Sequence, residues 1–94
     1  MKLAQTLAGS WVITVANTEE EGWETQLAEF DMTAVGPGSP AEDALEQAAA
    51  DAYASLLGAF SRDRVEVQSH DPEAQARMTG RVGMARLRGA PEPA

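Results

Sequence analysis

Ninety-four residues suffice for one domain with a modest core. The absence of cysteine excludes disulfide stapling, thiol catalysis and cysteine-based zinc sites, and no apolar run approaches the roughly 18–20 residues that a membrane-spanning helix needs. The net charge of −8 is unevenly placed: residues 1–60 carry one Lys against ten carboxylates, residues 61–94 six Arg against five, so the acidic first part repels nucleic acid and anionic membrane surfaces.

Residues 1–9 read as a short lead-in or frayed turn, because Leu3 and Leu7 are helically spaced but Gly9 follows at once. Thr6, Gly9, Ser10 and Thr14 interrupt the apolar residues here. The stretch therefore lacks the dense block of a signal peptide, and a cytoplasmic protein is expected. Trp11 to Ala16 is rich in β-formers and predicts a strand. Both of its faces are apolar, which suits a central position in a sheet. Residues 17–22 form an acidic turn from Asn17 to Gly22. Trp23 to Phe30 alternates as a second strand, giving an antiparallel hairpin. Thr33 to Val35 is expected as a short third strand.

Gly36-Pro37-Gly38 leads into the strongest local signal in the chain. Ser39, Pro40 and Glu42 stand at the cap, first and third positions of a helix, which is a capping box. Apolar residues then recur at Ala41, Ala44, Leu45, Ala48, Ala49, Ala52, Tyr53, Leu56, Leu57 and Phe60, with Glu42, Asp43, Glu46, Gln47, Asp51 and Ser55 on the opposite side. A helix over 40–57 follows, with Gly58 as its stop. Arg64 to Gln68 predicts a further strand and Ser69 to Pro72 a turn, with one helical turn over 73–78. Two glycines within Gly80 to Leu87 argue against a stable helix, so a short edge strand is expected there. Residues 89–94 read as a disordered tail behind a single domain over 1–88.

The element order is thus β-β-β-α-β with a possible C-terminal strand: an α+β fold with a small, mainly antiparallel sheet and one long amphipathic helix on one face. That order, the acidic turn closing on Gly22-Trp23, and Gly36-Pro37-Gly38 followed by Ser39-Pro40-Ala41-Glu42-Asp43-Ala44-Leu45 resemble the HicB-like antitoxin domain over about residues 10–60. The resemblance implies a non-enzymatic protein-binding module that neutralises a small basic partner protein.

Candidate chemical constellations resolve into bland readings. His70 lies between Ser69 and Asp71, but a catalytic triad is assembled in space rather than from adjacent residues, so a surface histidine is expected. Glu19, Glu20, Glu21 and Glu24 lack the alternating spacing of a calcium loop. Pro37 and Pro40 remove donors that an anion site at the helix start would use. No catalytic group, cofactor or metal is implied. Arg77, Arg81, Arg86 and Arg88 form a basic cluster with no aromatic residue between them, so direct nucleic-acid binding is not expected. The cluster reads as salt bridges to the acidic half or as a contact between subunits. One helix covers one sheet face only, so a homodimer through the sheet or its edge, or a higher homo-oligomer, is expected. The partner-binding candidates are Glu19, Glu20, Glu21, Trp23, Arg81, Arg86 and Arg88. The alternatives are a structural or assembly protein, phage-derived or oligomer-forming, and an acidic DNA-mimicking inhibitor of a nucleic-acid-binding enzyme.

Overall fold

The computed structural model describes residues 1–17, 23–60 and 66–89. Their elements are β1 (Lys2–Gln5), β2 (Trp11–Asn17), β3 (Trp23–Phe30), α1 (Pro40–Phe60), β4 (Val67–Gln68) and α2 (Pro72–Gly89). The sheet has the order β3-β2-β1-β4, and the fold is α+β. β1–β2 and β2–β3 are antiparallel, whereas β1–β4 is parallel, so the sheet is mixed. Leu3 stands opposite Ile13 and Val67, and Trp11 opposite Gln5 and Phe30. These residues turn the same face toward both helices, where Leu3, Trp11, Ile13 and Val67 join Ala49, Tyr53, Leu57, Ala74, Met78 and Val82 in one core.

The lead-in expected over 1–9 is instead an interior strand. Leu3 is fully buried between two neighbours, while Leu7 is 91% exposed in the turn that follows. Their helical spacing is therefore a coincidence of strand and turn. The turn closes because Gly9 adopts a φ of 95°, a left-handed conformation glycine reaches without a Cβ clash. Gly9 N–H and Ser10 N–H donate to the Thr6 carbonyl and hydroxyl. In β3 the register slips opposite Ile13 and Thr14, which leaves Leu27 as an extra residue. Leu27 and Ala28 both pack against the core, so the simple alternation expected for this strand breaks there.

Thr33 to Val35 is a turn rather than a strand. Asp31 Oδ1 accepts from the Thr33 N–H (2.9 Å) and hydroxyl (2.6 Å), and Val35 N–H donates to the Met32 carbonyl. This side chain competes successfully with strand pairing for the local backbone. The cap of α1 is present: Glu42 N–H donates to Ser39 Oγ (3.2 Å). The return bond reaches one residue further back than in the usual box, from Gly38 N–H to Glu42 Oε1 (3.0 Å). α1 then runs through Gly58 to Phe60, three residues past its expected end. Its buried line is Glu46, Ala49, Ala50, Tyr53 and Leu57, whereas Ala41, Ala44 and Ala48 are exposed. Alanine is nearly neutral in a burial pattern, so the stripe is rotated from the expected one and takes in Glu46.

The larger correction is α2. Gly80 to Leu87 is helical, not an edge strand. Ala74, Met78, Val82 and Ala85 repeat at helical spacing and are buried. Asp71 caps the start, accepting at Oδ1 from Glu73 N–H (3.0 Å), and Pro72 occupies the first turn. The packed face and the cap outweigh the two glycines. α2 includes Gly89, the first residue of the expected tail, and residues 90–94 lie outside the described residues. β4 comprises only Val67–Gln68, and residues 64 and 65 of the expected strand also lie outside the description. Two helices, not one, therefore cover the same sheet face. On the other face Val12 and Thr14 remain part-exposed. Among the described residues no helix is long and apolar enough to cross a membrane.

Candidate functional site

β3 and β4 both run parallel to β1, so the two helices that follow them start at the same end of the sheet. The helix starts and the turns beside them enclose a cleft of about 380 Å³. Gln5 and Trp11 form part of its wall from the sheet, Thr33 and Val35 from the α1 approach, and Glu42, Glu46, Asp71 and Arg77 from the helices. Three carboxylates thus face one guanidinium.

Each of these carboxylates already has work inside the fold. Glu42 accepts from Gly38, and Asp71 from Glu73. Glu46, only 3% exposed, accepts from Arg77 Nε and Nη2, both at 2.8 Å. That bidentate pairing satisfies a carboxylate withdrawn from water. It also holds Arg77 above its ordinary pKa, with the Glu46 hydrogen bond as the main cause and burial opposing it. Trp11 is fully buried, and its indole N–H has no partner among the described residues.

From this end a charged seam runs along the two helices. Arg81 pairs with Asp43, donates to Gln47 Oε1 (2.8 Å) and approaches Glu46 (3.7 Å). Arg88 pairs with Asp51 at 3.2 Å. The acids lie on α1 and the arginines on α2, so the basic cluster seen in the sequence is largely neutralised within the chain. Arg86 lies on another flank of α2, is exposed, and makes no ion pair among the described residues. Tyr53 ties the sheet to α1: its hydroxyl donates to the Met1 carbonyl and accepts from Glu66 N–H, both at 3.2 Å. Burial pushes the Tyr53 phenol above its ordinary pKa, against the hydrogen bond from Glu66.

His70 is exposed on the turn before α2. Ser69 Oγ–H donates to Gln5 and Asp71 caps α2, so no relay passes through the histidine. Among the described residues no group of His, Asp and Glu is placed to hold a metal ion.

Of the sequence-derived candidates, Arg81 and Arg88 come together on the seam. Glu19, Glu20 and Glu21 lie outside the described residues. Trp23 opens β3, where its backbone is opposite Asn17, but its side chain is outside the description. Sequence reasoning missed Glu46 and its pairing with Arg77. The available signal was a carboxylate one helical turn before Ala50 and Ala49, next to the apolar line rather than opposite it. Comparisons with family models, with curated proteins and with solved structures give no match to this chain.

Proposed function

We propose that this chain is a non-enzymatic protein-binding module, similar in role to HicB-like antitoxins, that neutralises a small basic partner protein. The observation that carries the reading is the charge left over after folding. Arg77, Arg81 and Arg88 are spent on Glu46, Asp43 and Asp51. Glu29, Asp31, Asp71 and Glu73 remain exposed, on a chain of net charge −8. An excess of outward carboxylate draws in and orients a basic protein. The sheet face bearing Val12 and Thr14 has no cover among the described residues and supplies contact area beside that charge. The acidic segment Glu19, Glu20 and Glu21, with Trp23 two residues further on in the sequence, belongs to the proposed contact.

The test is to identify the genes adjoining this chain's own and to co-express the chain with any small basic protein found there. The expected result is relief of that protein's growth inhibition. A stoichiometric complex should also appear by light scattering and weaken as salt is raised. Replacing Glu19, Glu20 and Glu21 by Gln should lower the affinity. A basic neighbour that stays separate at low salt, or whose toxicity is unaffected, overturns the proposal.

A further inference from the structure

α2 turns toward solvent a face that nothing among the described residues covers. Its core side is Ala74, Met78, Val82 and Ala85, and its arginine flank is bound to α1. The outward side carries Ala76, Gly80, Gly83, Met84 and Leu87. At the helical repeat these fall in a stripe roughly 100° wide. Met84 is 59% and Leu87 73% exposed. Glycine in a helix interior weakens the helix, yet neither Gly80 nor Gly83 has a positive φ. A Cβ at either position would meet nothing within 4 Å among the described residues. Among the described residues, then, nothing requires glycine at these two positions. A second backbone approaching closely would.

We propose that this stripe is a homodimer contact in which α2 packs antiparallel against α2 of a second copy, about a twofold axis between Arg81 and Val82. The inference is independent of the antitoxin-like reading. Its occupant is a second copy because the stripe is complementary to itself. In that arrangement Ala76 faces the partner's Leu87, small against large, and Gly80 faces the partner's Gly83 where the helices come closest. The charges agree. Glu73, in the acidic first turn of α2, comes within about a turn of the partner's Arg88 in the basic last turn, which it would share with the partner's Asp51, and the antiparallel helix dipoles attract. Arg81 lies on the same flank in both copies, but Asp43 already neutralises it, so the two do not repel. A contact of this kind uses one patch twice, as twofold dimers do.

The test is sedimentation velocity over a concentration series, with thermal melting of the same samples. The native chain should rise from one chain mass toward two. The G80Q/G83Q variant should stay at one chain mass with an undiminished melting temperature at high dilution, because the added side chains enter open space and favour helix. E73R and R88E should each weaken association by about tenfold, and the double exchange should restore it. R88E alone also loses Asp51, so recovery in the double exchange is the informative result. A native chain that remains monomeric throughout overturns the proposal. So does a G80Q/G83Q variant that dimerises like the native chain, since the contact would then lie elsewhere.

Discussion

α1 and α2 lie side by side on one sheet face, each capped by its own side chain, Ser39 in one and Asp71 in the other. α1 has 21 residues, rich in alanine, with three consecutive alanines at its middle. α2 has 18 residues, and Thr79, Gly80 and Gly83 fall in its interior. Intrinsic propensity therefore favours α1 and opposes α2. What α2 has instead is partners. Ala74, Met78, Val82 and Ala85 reach the core, and Arg77, Arg81 and Arg88 reach the acids of α1. The contrast teaches that a weak helix can be specified by what it packs against, and that its dependence on those contacts should be measurable.

The largest effect should come from a charge on either buried face. Val82→Asp in α2 and Ala49→Asp in α1 each place a carboxylate where relative exposure is 0%. An uncompensated buried charge costs on the order of 3–5 kcal/mol. The two should differ in what is lost. V82D should shed α2 first, visible as reduced helical circular dichroism before the main transition. A49D should lower the whole transition, because α1 contacts β2 and β3 as well as α2, whereas α2 meets the sheet chiefly at β4. Identical melting profiles for the two variants would erase the distinction between a self-sufficient helix and a dependent one.

A smaller effect is expected at the seam. Arg77→Met leaves Glu46 buried, with Arg81 at 3.7 Å as its remaining cation. The Arg77 side chain is 43% exposed, so solvent screening reduces the loss to about 2 kcal/mol. Adding Glu46→Leu removes the stranded charge, and urea unfolding should show most of that stability restored. If R77M unfolds at the native denaturant concentration, the seam decorates α2 without holding it.

The same contrast explains what could be read from sequence. Ser39-Pro40-Ala41-Glu42 and the strand residues Trp11 to Phe30 carry their signals within a few positions, so the α1 start and the β2–β3 hairpin were legible. β1 was not, because four residues become a strand only when β2 and β4 flank them. Thr33 was misread because one carboxylate, Asp31, organises a turn that composition leaves open. In α2 the period of Ala74, Met78, Val82 and Ala85 was present, but the glycines outweighed it in a local reading. The cleft was invisible for the same reason as β1: Gln5, Glu46 and Asp71 meet only after the sheet and both helices have assembled.

The approach to α1 rests on one carboxylate, Asp31, whose hydrogen bonds depend on pH. Asp31 Oδ1 accepts from the Thr33 hydroxyl, the Thr33 N–H and the Ser10 hydroxyl (3.3 Å). The Thr33 hydroxyl is the main reason that Asp31 lies below its ordinary pKa of 3.8, with the Thr33 N–H next. A depressed folded pKa means that the unfolded chain binds this proton more readily. The contribution is therefore complete above the unfolded value and is lost as pH falls through the folded one. Carboxyl NMR should find Asp31 titrating below 3.8, and Thr33→Val should move it upward while the N–H bond persists. Acid should then loosen the turn before α1. An Asp31 that titrates at or above its ordinary value in the native chain would mean that the turn is held by its backbone alone.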